Sequence, residues 1–592
     1  MGAIPSQDGV HFRVWAPFAS SVSVVGEFNE WDAARNPLHQ EEGGCWSGHI
    51  PEAAPGHAYQ YELAHDGRSF RKNDPYAREI HPEKLTGLIY QSHHRWEHPD
   101  FRPVPSNEMI IYELHVGTFF PRGENARGKF SGVIRRLPYL KNLGVNTIEI
   151  MPATEFPGER SWGYNLTNPF AVEGSYGGPE GLKRMIDAAH THGIAVILDV
   201  VYNHFGPDNL DLWQFDGWNE NNLGGIYFYN DWRAWTPWGE NRPDYGRGEV
   251  RQFIRDNVFL WLEDFHADGL RFDSTLFMRD TRGNSYNPET EIPEAWSLLQ
   301  WINQETGQHF PGKIMIAEDL GSNAWITRPP EAGGAGFTAQ WDACFVHPVR
   351  RSVTNLKDGD RDMDEVKEAI RFRYNDRPFE RVIYSESHDE VANGKARIPT
   401  EIAPEDPSGY FAQKRSVLAA GLVLTSPGIP MLFEGQEFLE SGWFQDEVPV
   451  DWSKLNAFRG INALYRDFLH ARRNLHGKTR GLMGDCLRVV HVNQQDKVLA
   501  FHRWQKGGPG DDVIVVANFS NRSFENYRIG FPRPGAWQVR IHSDWKGYSP
   551  HFENGIPPIL FLETEEEARD GLANSGAVAL GPYALLILSQ DG

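Results

Sequence analysis

Apolar positions change rhythm twice along the chain. Over the first hundred residues they come in short alternating runs: Phe12-Arg13-Val14-Trp15-Ala16-Pro17, then residues 21–25, then a run through Tyr59 and Tyr61. A period of two is the signature of half-buried strands. No helix-period segment intervenes, so residues 1–100 are expected to form an N-terminal β-sandwich, with Trp15 and Phe28 in its core. From about residue 107 apolar strands alternate with amphipathic helices. Strands are expected at 109–114, 145–150, 194–200, 270–273, 313–317, 343–345, 381–384 and 421–424. Leu182, Met185, Ile186 and Ala189 share one face of a helix over 178–192 that Gly193 can stop, and Val250, Ile254, Val258, Trp261 and Phe265 share another. Eight strands separated by helices predict a parallel (β/α)8 TIM barrel over residues 101–480. An open sheet is disfavoured because no Gly-rich loop follows the first strand. After about 480 the helix period disappears, and runs at 487–492, 498–504, 513–518, 537–541 and 584–587 predict a C-terminal β-sandwich over 481–592. The expected fold is thus multidomain, a central barrel between two sandwiches.

Composition narrows the class. The 592 residues carry 58 basic and 80 acidic side chains, a net charge of −22. That excludes a basic nucleic-acid-binding surface. No apolar run approaches the roughly 18 residues of a membrane span, and no basic start leads into an apolar segment, so a soluble, cytoplasmic protein with no membrane partner is expected. Cys45, Cys344 and Cys486 are too scattered for a disulfide framework or a metal cluster, and neither metal nor cofactor is expected. The 20 Trp change the picture more. Residues 205–247 form a long barrel loop holding Trp213, Trp218, Tyr227, Phe228, Tyr229, Trp232, Trp235 and Trp238. Long loops tend to be functional, and ring faces suit the apolar faces of sugars. Two or three of these rings are expected to be exposed.

Candidate chemistry gathers at strand ends, which in such a barrel converge on one mouth. Asp199 and His204 follow the third strand, Arg271 and Asp273 the fourth, Glu318 the fifth, His388 and Asp389 the seventh. Taken alone, Arg271 and Asp273 fit a structural ion pair as well as an oriented nucleophile. The set as a whole fits a retaining glycosidase, which needs a carboxylate nucleophile and a protonated carboxyl about 5–5.5 Å apart. Asp273 and Glu318, on neighbouring strands, are the natural pair. Glu318 follows the apolar run Ile314-Met315-Ile316-Ala317, a setting that favours its protonated form.

The same residues carry a family resemblance. Asp199-Val-Val-Tyr-Asn203-His204, Gly269-Leu-Arg271-Phe-Asp273, Ala317-Glu318-Asp319 and Ser387-His388-Asp389-Glu390 resemble, in order, the four motif regions of the α-amylase superfamily, glycoside hydrolase family 13. Gly144…Ile148…Pro152 and Gly428-Ile-Pro430…Gly435-Gln-Glu437 resemble its flanking regions. "FRVWAP…VVGEFNEW" resembles the starch-binding-type module of family 48. The resemblance implies Asp273 as nucleophile, Glu318 as acid/base and Asp389 as transition-state stabiliser. It implies that Asp199, His204, Arg271 and His388 hold the sugar at the cleaved bond and that Tyr164, in Trp162-Gly163-Tyr164, stacks on it; Trp162 joins this substrate-binding set. Asn203 is not assigned as a metal ligand. Residues 145–207 are similar to maltooligosyltrehalose trehalohydrolases, whereas 387–395 and 432–438 are similar to branching enzymes. The Tyr202-Asn203-His204 form is similar to hydrolytic amylases. With the aromatic loop as a block to one end of the cleft, the expected activity is a retaining, maltose-forming hydrolase of α-1,4 bonds in maltooligosaccharides and starch, with some transglycosylation. The alternatives are a 1,4-α-glucan branching enzyme and, third, a trehalohydrolase. The expected partner is an α-glucan.

Overall fold

The computed structural model describes residues 1–592 except 124–125, 208–209, 285–286 and 553–559. Eight parallel strands form a closed barrel in chain order: β1 (Ile111–Leu114), β2 (Thr147–Ile150), β3 (Ala195–Val200), β4 (Gly269–Phe272), β5 (Ile314–Ala317), β6 (Ala339–Trp341), β7 (Arg381–Ile383) and β8 (Ile429–Phe433). The expected barrel between two all-β regions is the observed architecture. The chain divides into two compact units. One comprises Met1–Pro103, His115–Leu137 and Glu149–Thr338; the other comprises Val104–Leu114, Pro138–Ile148 and Ala339–Gly592. Among the described residues no helix is long and apolar enough to cross a membrane.

In the first unit the N-terminal sandwich pairs Gly2–Ser6, Gly9–Trp15, Cys45–Ile50 and His39–Gln40 in one sheet and Ser21–Gly26, Ala58–His65 and Arg68–Lys72 in the other. Alternation along Gly9–Trp15 puts Val10, Phe12 and Val14 inside. Trp15 is buried with them and meets Tyr227 of the long loop edge-on at 5.5 Å. Phe18 stacks on Trp218 at 4.6 Å, and its amide donates to Asp216. Much of the aromatic loop is therefore a satellite core against the sandwich. Three of its rings, Trp232, Trp235 and Trp238, are 60%, 49% and 40% exposed, within the expected number. The helix before β4 is regular over Gly248–Phe259 and then widens to a π-turn at Leu260–Asp264. Parallel pairing sets Asp199 opposite Arg271 and Phe272 opposite Ala317, so β3, β4 and β5 end level.

In the second unit two expected strands are helices. Residues 343–345 begin the helix Ala343–Thr354, because the Asp342 side chain accepts from the Cys344 amide and caps it; the strand is Ala339–Trp341, just before. Residues 421–424 lie in the helix Tyr410–Thr425, which is buried on every side from Ala412 onward. From Val417 to Leu424 the helix carries no charged or polar side chain and so shows no stripe, and its run imitates a buried strand. The strand itself, β8, starts past Gly428, whose φ of +150° turns the chain. The C-terminal region has a six-stranded sheet ordered Cys486–Asn493, Val498–Trp504, Val513–Asn518, Leu585–Ser589, Ala536–His542, Phe561–Glu563. A second, two-stranded sheet, Phe524–Phe531 with Asn574–Leu580, lies outside the sequence expectation. Ile514, Leu586, Trp537, Ile529 and Val578 fill the core the two sheets share. Lys414 pairs with Asp544, and Arg503 donates to the Thr425 carbonyl at 2.6 Å, tying this sandwich to the long buried helix.

Candidate active site

Three carboxyl groups meet on one buried guanidinium. Arg271 Nη1 donates to Asp199 Oδ2 at 2.7 Å and to Asp273 Oδ1 at 2.8 Å, and Nη2 lies 3.0 Å from Glu318 Oε2. Arg271 projects from β4, Asp199 from the neighbouring position of β3, and Asp273 and Glu318 from the residues just past β4 and β5. Backbone pairing carries beyond the strands, Asp273 N to Val200 O at 2.9 Å and Glu318 N to Phe272 O at 3.0 Å, so the side chains inherit the register of the barrel. Burial works against the charge of Arg271, yet Asp199, Tyr164, Glu318 and Asp273 together raise its pKa well above the ordinary value. Burial pushes the Asp199 carboxyl up to about 7, with Arg271 pulling it down and Asp273 pushing it further up. One guanidinium does not offset burial at Asp199, so that carboxyl exchanges its proton near neutral pH.

Each carboxyl has a further brace. Asn203 Nδ2 donates to Asp273 twice, to Oδ2 at 2.7 Å and to the carbonyl at 2.9 Å. Tyr164 donates to Asp199 Oδ2 at 2.6 Å. Its loop depends on Gly163, at φ +100°, where a Cβ would fall 2.2 Å from the Pro152 carbonyl oxygen. Trp162, two residues before Tyr164, is half-buried. Ser274 adopts a left-handed conformation (φ 40°, ψ 54°) that turns its amide onto Glu318 Oε2 at 2.7 Å. Thr275 Oγ1 donates to the Glu318 carbonyl at 3.1 Å and to Asp319, which Arg279 also grips at 2.8 and 2.9 Å. His204 contacts Asn203 through Nδ1 and stacks on Trp238 at 4.6 Å; burial lowers its pKa to about 4, leaving a neutral ring across ordinary pH.

The remaining two candidates belong to the second unit. His388 is buried; its amide and its Nδ1 both reach the Glu113 carboxylate, at 3.2 and 2.5 Å. The Asp389 side chain is 42% exposed, with Oδ2 3.6 Å from His388 Nε2. The structure thus brings Asp199, Arg271, Asp273, Glu318 and Tyr164 into one cluster and sets His204 beside it through Asn203, while His388 and Asp389 form a pair of their own. Sequence reasoning missed Glu113, the Asn203 brace and the Ser274 amide. A charged residue inside the apolar run 109–114 was the available signal for Glu113. The role of the Ser274 amide depends on a dihedral angle and left no signal.

Family models match residues 1–77 (carbohydrate-binding module 48, isoamylase N-terminal domain), 107–244 (alpha amylase, catalytic domain) and 489–591 (alpha amylase, C-terminal all-beta domain). The chain is 33% identical to the 1,4-alpha-glucan branching enzyme GlgB of Rhodospirillum rubrum over 100% of its own length and 82% of that protein. It is 29% identical to that of Oceanobacillus iheyensis over 94% of each. In fold it is similar to a crystallised putative alpha amylase from Salmonella typhimurium (TM-score 0.74, 22% identity, 100% and 99% covered). It is also similar to the pullulanase–maltotetraose complex from Anoxybacillus sp. LM18-11 (TM-score 0.77, 22% identity, 100% and 87% covered). These relatives overturn the expectation of a maltose-forming hydrolase, since proteins alike over the whole chain are named branching enzymes. The geometry supplies the reason the sequence misled. Asn203, the hydrolase-like residue, braces the Asp273 carboxylate and so reports on the carboxylate cluster rather than on what accepts the sugar. Most loop aromatics, the other ground for that reading, pack against the N-terminal sandwich or are otherwise buried.

Proposed function

The chain belongs to the 1,4-α-glucan branching enzyme family of the α-amylase superfamily, and from that premise we propose that it transfers segments of an α-1,4-glucan onto a 6-hydroxyl, creating α-1,6 branches. Asp273 attacks the anomeric carbon while Glu318 gives its proton to the departing glycosidic oxygen, leaving a glycosyl ester on Asp273 and a shortened chain. Glu318, now a carboxylate, takes the proton of an incoming 6-hydroxyl; that oxygen bonds to the anomeric carbon and the ester breaks, with net retention. Arg271 and Asn203 hold the Asp273 carboxyl aimed. By the motif, Asp389 supplies negative charge for the oxocarbenium-like stage, and Asp199, His204, His388, Tyr164 and Trp162 hold the sugar. The observation that carries the reading is the full-length likeness to branching enzymes; the shared guanidinium between Asp273 and Glu318 supports the retaining pair.

Incubation with amylose tests it. New α-1,6 proton NMR signals with few new reducing ends are expected; abundant reducing ends without branches would sink the reading. Asp273→Asn, which preserves shape, is expected to lower turnover by roughly 10⁴-fold or more with an unchanged melting curve.

A further inference from the structure

A cavity of about 370 Å³ opens among the loops that leave β4 and β5, lined by Arg279, Glu291, Trp296, Asn323 and Trp325. Its volume lies in the range of small-ligand sites. Trp325 is 45% exposed, with the Arg328 guanidinium 4.2 Å from its ring centre. The cavity wall is built rather than loose. Asn323 accepts from the Trp325 amide at 3.0 Å and fixes the turn that carries the indole, and Trp296 Nε1 donates to the Gly333 carbonyl at 3.2 Å. Arg279 joins this wall to the proposed catalytic cluster, because the carboxylate it grips belongs to Asp319, the residue after Glu318.

The lining points to a neutral polyol. An exposed indole face accommodates the C–H face of a pyranose, and an amide, a carboxylate and a guanidinium offer donors and acceptors for its hydroxyls. Arg279 is paired with Asp319, and Glu291 and the Arg328 guanidinium beside Trp325 carry opposite charges, so the cavity favours neither an anion nor a cation. Direction follows from chemistry. A general acid stands on the side of the leaving oxygen, and the acceptor enters from that side; the turn carrying Trp325 follows Glu318 in the segment after β5.

We propose that this cavity is an outer subsite for an α-glucan on the acceptor side, with Trp325 as its stacking platform. The assignment of side rests on the reading of Asp273 and Glu318 given above.

Titration calorimetry with maltoheptaose on full-length Asp273→Asn protein tests it, since binding is then read without turnover. Adding Trp325→Ala is expected to weaken affinity about tenfold, whereas Trp325→Phe keeps it within about threefold. Trp443→Ala, at another exposed tryptophan, serves as the control and leaves affinity as it was. On the otherwise unsubstituted enzyme, Trp325→Ala is expected to lower the ratio of new α-1,6 links to new reducing ends several-fold on amylose. Unchanged affinity in the Trp325→Ala protein overturns the proposal. A parent enzyme that makes no branches while maltoheptaose affinity still depends on Trp325 would sink the proposed function and leave the subsite standing.

Discussion

Asn203 illustrates how much one amide contributes to the site. It donates to Oδ2 and to the backbone carbonyl of Asp273 while Arg271 holds Oδ1, leaving the carboxylate little rotational freedom. Replacing it with alanine removes no charge and touches no reacting atom, so folding is expected to persist. The Asp273 carboxylate, though, is freed to turn, and for the proposed nucleophile a misplacement of about 1 Å costs on the order of 10²-fold in rate. The expected result for Asn203→Ala is a kcat lower by about 10- to 100-fold with KM little changed; a loss confined to KM would contradict the brace. Ser274 makes the complementary case. Its contribution is a backbone amide, so Ser274→Ala is expected to keep most of the activity, while Ser274→Pro, which removes the donor and forbids the positive φ, is expected to abolish it.

Among elements, the turn after β8 carries a buried acid with a measurable pH signature. Glu437 Oε1 accepts from Tyr112 at 3.1 Å and from Tyr139 at 2.8 Å, and burial pushes its carboxyl from the ordinary 4.5 up to about 7. Between those values the folded chain holds a proton that the unfolded chain has lost. Stability is therefore fully present below pH 4.5, declines as pH rises toward 7, and stays reduced above. Glu437→Gln keeps an acceptor for both phenols without the charge. It is expected to match the parent near pH 4.5 and to exceed it at pH 8, by about 3 kcal/mol at most; a gain equal at both pH values would refute the assignment. Legibility in the sequence also divides by element. Strands with apolar residues bounded by turns, such as β3 and β5, were readable because their context repeats locally. The segments 343–345 and 421–424 were misread because a capped helix start and an all-round buried helix differ from strands only in contacts the sequence does not display. The catalytic candidates were legible because motif spacing ties them to strand ends. Glu113 was not, since its partner His388 lies 275 positions away.

At the scale of the molecule, the N-terminal sandwich and the long loop share a hydrophobic contact through Phe18, Trp218, Trp15 and Tyr227. The Phe18–Trp218 stack is expected to show a coupling of about 0.5–1.5 kcal/mol in a double-mutant cycle read by thermal unfolding. Additive losses would mean that each ring packs independently. Net charge acts at this scale too. At −22 the surface is governed by the surrounding electrolyte, with fields that shrink from about 30 Å at 0.01 M to about 3 Å at 1 M. Arg271 and its three carboxyls lie beyond that influence: the guanidinium is fully buried and none of its partners is more than 11% exposed. The charges of the cluster are paired with one another at contact distance, and a glucan brings no charge for the surface to repel. Turnover is accordingly expected to change much less than solubility in sodium chloride from about 0.01 to 1 M, and what salt dependence it shows is expected to enter through the exposed Asp389.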